Sequence, residues 1–358
     1  MIRMKEELSV SPLHPDEIPS VETSDPAVMC KQPLVTVKML TYNHEPYIAQ
    51  AIEGVLMQET GFPIELVIGE DCSTDRTREI VLGYQKRHPG AIRVLTSERN
   101  VGASRNSVRT ALACRGAYIA LCEGDDYWIH PRKLQMQVGI MEADPKVGLV
   151  HGRADRFDVV SGRHFPWTPK PADYDDGDLF HRYLTGEYYI FTATACFRSD
   201  LYRTVLESSP DLFDGRYLMG DTPLFLELAR ITKFRLINEP LATYRMIPES
   251  ATRSRDIQKE IRFWKSDLEM YMRFVERYDV DRATENLIRC RFARRFLRYA
   301  SAAGDSELAQ NAWADLRAGG VRIALSDFVH YCGANHASIY AAVRALRRAR
   351  KALLRLRT

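Results

Sequence analysis

The residues of this chain best suited to chemistry are Glu123, Asp125 and Asp126, in the stretch Glu123-Gly124-Asp125-Asp126-Tyr127-Trp128. They follow the apolar run Ala117 to Cys122, which lies between Gly116 and Gly124 and reads as a buried strand. The acids then stand at the carboxyl end of that strand, where open α/β sheets bind ligands. Crowding three carboxylates there costs repulsion and desolvation, and a divalent cation relieves both. Hard oxygen donors suit Mg²⁺ or Mn²⁺ bridging phosphates. The plainer reading is a solvated acidic turn. The strand before it and the motifs upstream favour a metal–nucleotide site.

Those motifs sit on an alternating pattern. Leu34–Leu40 reads as a strand and Pro46–Gln58 as a helix, with Ile48, Ala51, Ile52, Val55 and Leu56 on one face. Ile64–Ile68 is a second strand, followed by a helix to about His88 that Ser73 can cap, with Asp75 well placed for its dipole. Ile92–Leu95, a helix over Ser104–Cys114, the strand Ala117–Cys122 and a helix from Pro131 to Glu142 continue the rhythm. Strands alternating with helices predict an α/β fold with a mainly parallel, doubly wound sheet. From Gly152 to Tyr189 the chain is rich in Asp, Tyr, Pro and Trp and has no clean period, as in binding loops or lids. Thr192–Arg198 reads as a strand and Pro223–Ile231 as a short helix. Everything beyond Arg255 reads as helical.

Composition bounds the rest. A chain of 358 residues, 45% hydrophobic and 27% charged, is that of an ordinary globular protein large enough for a substantial core. A net charge of +3 gives no argument for nucleic acid. Seven scattered cysteines without a C-x-x-C pair read as reduced thiols, implying a cytoplasmic setting. Residues 1–31, broken by Pro12, Pro15, Pro19 and Pro26, read as a flexible leader without a signal-peptide core. No run approaches the ~18 apolar residues of a spanning helix.

Four polar segments follow the four strands in order: Leu40-Thr41-Tyr42-Asn43-His44-Glu45, Glu70-Asp71-Cys72-Ser73-Thr74-Asp75, Asn100-Val101-Gly102-Ala103-Ser104-Arg105-Asn106, and the acidic turn. Together they resemble the inverting family 2 glycosyltransferases, nucleotide-diphospho-sugar transferases of the GT-A fold, over about residues 33–252. The resemblance implies three parts: the leader 1–31, a GT-A domain over 32–255, and a helical region over 256–358.

It also implies roles. Asp71 would accept the ring N–H of the donor base, with Thr41 and Tyr42 lining the base and ribose pocket beside Asn43 and Glu45. Arg105 would reach the nucleotide, although a surface cation on a helix reads as well. Asp125 would be the principal ligand of Mn²⁺ or Mg²⁺, with Glu123 sharing the metal or nearer the ribose, and Asp126 supporting it or binding sugar. Tyr127 and Trp128 can stack on sugar, and Trp128 reads equally as core. Gly220-Asp221-Thr222-Pro223 resembles the family's acceptor motif, with Gly220 where a Glu is usual. Asp221 would be the general base, and it reads equally as a helix cap. Leu241-Ala242-Thr243-Tyr244-Arg245 resembles the closing segment, with Ile247 in place of the usual His. Arg245 would pair with the diphosphate or make a buried structural contact.

The implied donor is a nucleotide-diphosphate sugar, most commonly of uridine. The implied acceptor is a growing glycan or a lipid-linked one, in bacterial polysaccharide or glycolipid synthesis. In the last segment, Ile339, Val343, Leu346, Ala349, Leu353 and Leu356 share one helical face, with arginines on the others. A basic amphipathic helix over 339–357 fits an anionic membrane surface on the inner face of the plasma membrane, docking on its own domain, or a basic tail.

Three rivals stand against this reading. A sugar-nucleotide pyrophosphorylase needs a glycine-rich basic loop after the first strand, where this chain has Thr41-Tyr42-Asn43-His44-Glu45-Pro46. A nucleic-acid binder would need a module that is absent upstream of the tail. A catalytically silent nucleotide-sugar binder or scaffold draws on Gly220 and Ile247.

Overall fold

The computed structural model describes residues 18–167, 178–248 and 254–335. Its Cα framework divides into two compact units. One spans residues 1–180 and 188–247, the other residues 181–187 and 248–358.

The first unit follows the alternation in chain order. It contains β1 (Val21–Thr23), β2 (Val35–Thr41), α1 (Ile48–Leu56), β3 (Ile64–Glu70), α2 (Thr77–Arg87), β4 (Ile92–Thr96), α3 (Ala103–Leu112) and β5 (Tyr118–Leu121). After these come β6 (Tyr127–Trp128), α4 (Lys133–Ala143), β7 (Val147–Asp158) and β8 (Arg163–Phe165). Then follow α5 (Leu179–Thr185, which runs into the second unit), β9 (Cys196–Arg198), α6 (Ser199–Ser208), α7 (Thr222–Ile231) and β10 (Lys233–Met246). The strands form one sheet in the order β1-β4-β3-β2-β5-β9-β7-β10-β6, with β8 paired to β7. Strands β4, β3, β2 and β5 are parallel neighbours, as are β7 and β10, while β9 joins the two sets antiparallel. The sheet is therefore mixed and mainly parallel where the motifs lie. Val35, Val37, Met39, Leu66, Ile68, Ile92 and Val94 are buried in its core together with Ile48, Ile52 and Val55 of α1.

Several local expectations change. Val21–Thr23, read as leader, adds an edge strand to β4. Arg93 pulls it in, donating to both oxygens of Glu22 at 2.8 Å. Ser73 does not cap α2, which begins at Thr77. Its hydroxyl accepts the Asn43 N–H at 3.0 Å, and Asp75 accepts the Thr77 N–H at 2.9 Å instead. Thr192–Thr194 is a 3₁₀ turn ahead of the short β9. Within the irregular Gly152–Tyr189 segment, β7 continues to Asp158 and returns through β8, while residues 168–177 lie outside the described set. Trp128 is core, 2% exposed, with its indole N–H donating to the Ala193 carbonyl at 2.7 Å.

Beneath the sheet, Glu65 gathers a buried polar cluster. Its carboxylate accepts from the Thr36 hydroxyl at 2.7 Å, from the Arg115 N–H at 3.1 Å and from the Arg115 and Arg93 guanidinium groups at 2.5 and 3.3 Å. Removing one member of a buried ion cluster strands the others in a medium that solvates them poorly. Glu65→Ala is therefore expected to cost about 3–5 kcal/mol, read as a drop in denaturation midpoint. A loss under about 1 kcal/mol would show that the arginines find water instead.

His151 of β7 is buried, its Nε2 2.5 Å from the Tyr188 hydroxyl and its Nδ1 without a hydrogen-bond partner. Burial pushes its pKa down from 6.5 to about 3. The unfolded chain then binds a proton that the folded chain refuses, so stability is lost as pH falls from 6.5 toward about 3. Wild type is expected to lose about 2 kcal/mol more than His151→Gln between pH 7 and 5, from ~1.4 kcal/mol per unit below the unfolded value. Parallel stability–pH curves for the two proteins would refute this.

The second unit contains α8 (Ile257–Arg277), α9 (Arg282–Ala303), α10 (Ser306–Ala318) and α11 (Leu325–Asn335). Asp256, Asp281 and Asp305 each cap a helix by accepting a backbone N–H. No helix among the described residues is long and apolar enough to cross a membrane. The basic segment 339–357 lies outside the described residues.

Candidate active site

The carboxyl ends of β2, β3 and β5 bring three of the polar segments together. Between the first two the chain makes reciprocal ties. Asn43, in the left-handed region at φ 55°, accepts the Thr74 N–H at 2.8 Å. Glu45 accepts the Arg76 N–H at 3.1 Å, and its own N–H donates to Asp75 at 3.0 Å. Asn43 and Glu45 thus spend their side chains on holding the loop after β2 against the loop after β3. Thr41 is buried, Tyr42 is exposed, and the acidic turn folds down beside them through a Gly124 N–H donated to the Leu40 carbonyl at 2.9 Å. A Cβ on Gly124 would lie 2.8 Å from the Thr41 hydroxyl and 2.9 Å from His44 Nδ1, so glycine is what allows the approach.

Asp71 is buried and accepts the N–H groups of Val101 and Gly102 at 2.8 and 2.9 Å, which fixes the loop before α3. Each carboxylate oxygen has a second lone pair and can take a further donor. The basic residue nearest Asp71 is not Arg105, which is exposed. It is Arg109, one turn later on α3, with its guanidinium 3.8 Å from Asp71 and donating to the Glu70 carbonyl at 2.8 Å. Sequence reasoning missed Arg109. The inward face of α3, carrying Asn106, Thr110 and Ala111, was the available signal.

The three acids of the turn have distinct surroundings. Asp126 is buried, and its carboxylate accepts the Arg245 N–H at 2.8 Å. Burial and the neighbouring Asp125 and Glu123 raise its pKa well above the usual carboxylate range. Asp125 has a partly exposed side chain, 4.0 Å from His44 Nε2. Burial outweighs that carboxylate and holds the His44 pKa below its ordinary value. Glu123 has one buried carboxylate oxygen, Oε2, with no hydrogen-bond partner. Burial, then the charges of Asp125 and Asp221, push its pKa up to about 8.

Asp221 thus reaches the same field from α7. It caps that helix by accepting the Thr222 N–H at 2.8 Å, and it accepts the Thr192 hydroxyl on its other oxygen. Thr192 and His44 also stand beside these acids, and the motif reading left them out of the candidate site. Arg245 is buried against Tyr127 at 4.3 Å and Tyr47 at 5.2 Å. It donates to the Asp125 carbonyl at 2.6 Å and to Gln50, so β10 braces the turn.

Among the described residues no three His, Cys, Asp or Glu side chains form a ready-made metal cage. A hard cation that keeps waters and takes phosphate oxygens needs only one or two carboxylates. The unsatisfied Glu123 oxygen, destabilised as an anion by Asp125 and Asp221, fits that requirement.

Residues 36–205 match the family model "Glycosyl transferase family 2". An uncharacterised protein of Mycobacterium tuberculosis is 40% identical over 112 residues, 31% of this chain and 32% of that one. The chondroitin synthase of Escherichia coli is 23% identical over 276 residues, 75% of this chain and 37% of that one. The chain thus spans about a third of the length of these relatives. Among solved structures, S. aureus TarS 1–349 in complex with UDP superposes with a TM-score of 0.51 at 15% identity, covering 87% of this chain and 91% of that one. The mannosyltransferase PcManGT of Pyrobaculum calidifontis, in complex with GDP-Man and Mn²⁺, superposes at 0.50 and 17% identity, covering 88% and 80%. With the sequence match over residues 36–205 and the shared sheet, that stretch is a glycosyl transferase family 2 domain and the chain has the GT-A fold of these solved structures.

Proposed function

We propose that this protein transfers a sugar, with inversion, from a nucleotide-diphosphate donor to a hydroxyl acceptor, using a divalent metal. The observation that carries the reading is the convergence of Glu123, Asp125 and Asp221 at the carboxyl end of a parallel sheet, with one Glu123 oxygen buried and unsatisfied. That arrangement offers two separable jobs, a seat for cationic charge and a nearby carboxylate outside the turn.

Asp125, with Glu123, would hold Mn²⁺ or Mg²⁺. When bound, the metal would supply positive charge to a departing diphosphate. The chain's own groups do the rest. Asp71 accepts a base N–H, and Thr41 and Tyr42 flank base and ribose. Asn43 and Glu45 keep the loop beside them in place, Arg105 meets the nucleotide from the rim, and Arg245 and Asp126 fix the turn. Asp221 takes the proton of the acceptor hydroxyl as its oxygen bonds to the anomeric carbon. The bond from that carbon to the phosphate oxygen breaks on the opposite face, and the nucleoside diphosphate keeps the electron pair. A single displacement of this kind inverts the centre.

UDP in the TarS complex, and GDP-Man with Mn²⁺ in PcManGT, support a nucleotide-sugar donor and a divalent cation on this fold. The chondroitin synthase match supports a glycan acceptor, in polysaccharide or glycolipid synthesis. Gly220 and Ile247, departures from the family pattern, favour the alternative of a nucleotide-sugar binder without turnover.

A panel of nucleotide sugars, incubated with Mn²⁺ or with chelator, decides between them. Selective, metal-dependent release of one nucleoside diphosphate supports transfer and names the donor. Metal-dependent binding with no turnover on any acceptor glycan supports the silent binder. Failure to bind any nucleotide sinks both.

A further inference from the structure

The helical unit holds a second concave site that the transfer reaction does not use. A cavity of about 420 Å³ is lined by Thr185, Glu187, Arg291, Arg294, Arg295 and Arg298, together with the apolar Leu287, Cys290 and Val321. All these residues belong to the second unit.

The four arginines repeat at spacings of three and four along α9, one helical face, where like charges repel and cost stability. Little among the described residues offsets them. Arg294 pairs with Asp327 at 3.3 Å. Arg291, Arg295 and Arg298 make no ion pair among the described residues. Glu187 is the one acid among the described lining residues, and Asp267 acts on Arg295 from outside it. Two of the guanidinium groups are held by stacking instead. Arg295 lies 3.3 Å from the Trp264 ring centroid and Arg291 4.5 Å from that of Tyr271. Stacking orients a guanidinium plane and leaves its charge and in-plane donors available. Burial, with Arg298 and Arg291 beside it, holds Arg295 below its ordinary pKa, a strain that an anion would remove.

We infer that this pocket is a binding site for a phosphoryl oxyanion, gripped in bidentate fashion by Arg291, Arg295 and Arg298. Planar forks of parallel N–H donors match phosphate geometry, and four of them around one small cavity exceed what a single carboxylate would need. The phosphoryl group can come from a soluble phosphorylated molecule or from a lipid headgroup. Both present the same oxygens.

The test uses the full chain in chelator, so that the metal-dependent site stays silent. Inorganic pyrophosphate is titrated calorimetrically into wild type, Arg298→Gln and the double variant Arg291→Gln/Arg298→Gln. In parallel, vesicles of phosphatidylcholine with and without phosphatidylglycerol are pelleted with each protein. Arg298 is exposed, so its single substitution tests the site without disturbing the core. Binding of one pyrophosphate, weakened about tenfold or more by Arg298→Gln and further in the double variant, supports the site with a soluble source. Anionic-vesicle binding that falls in the same order supports it with a lipid source. If wild type binds neither probe, or binds them regardless of the arginines, the inference is overturned.

Discussion

Asp221→Asn is expected to lower turnover about 10²–10⁴-fold, the usual contribution of a positioned base, while donor affinity stays within a few fold. The substitution keeps the shape and one acceptor oxygen, so α7 remains capped, but the amide cannot take a proton. The split between turnover and binding is what distinguishes a base from a cap. Loss of the cap alone would cost about 0.5–2 kcal/mol of stability and leave the rate of the surviving folded protein unchanged. Thr192→Val removes the hydroxyl that orients the other Asp221 oxygen and is expected to give a smaller fall of about tenfold, again in turnover. Rates and donor dissociation constants measured on the three proteins settle the point. Wild-type turnover in Asp221→Asn would take that residue out of the mechanism.

Asp125→Ala is expected to reduce metal-dependent donor cleavage by about 10³-fold or more, the equivalent of several kcal/mol of lost charge stabilisation, and to abolish the response to added Mn²⁺. The structure separates this residue from its neighbour. Asp126 is buried and committed to the Arg245 amide, whereas the Asp125 carboxylate is partly open to solvent. Asp126→Asn should therefore show its main effect as a lower melting temperature. Reversed outcomes, with metal response lost in Asp126→Asn and kept in Asp125→Ala, would exchange the two roles.

The strands around the site were legible because their burial is uniform. β2, β3 and β5 are almost entirely buried, so their apolar runs stand out between polar loops. β10 was not legible. It pairs parallel to β7 along its length, yet it carries Lys233, Arg235, Asn238, Glu239 and Pro240 and has several exposed positions, so no period of two survives. β6 has only two residues. At the site, the acids could be named from their place after a strand, but their separate surroundings could not. Those surroundings depend on Arg245 arriving from a distant strand and on the charge of Asp221 acting on Glu123. Arg105 and Arg109 both look like helix-surface cations in sequence, and only packing shows that Arg109 is the buried one.

The brace between Arg245 and the acidic turn also sets an order of assembly. Its two ends are 119 residues apart in the chain. At a ribosomal pace of about 5–20 residues per second, the turn would wait roughly 6–24 s between its own synthesis and that of its brace. A nascent chain carrying every strand-end motif through Asp126 would thus still lack a settled acidic turn. Donor binding should then emerge late and abruptly during translation, once β10 has joined the sheet, and not gradually as each motif leaves the tunnel.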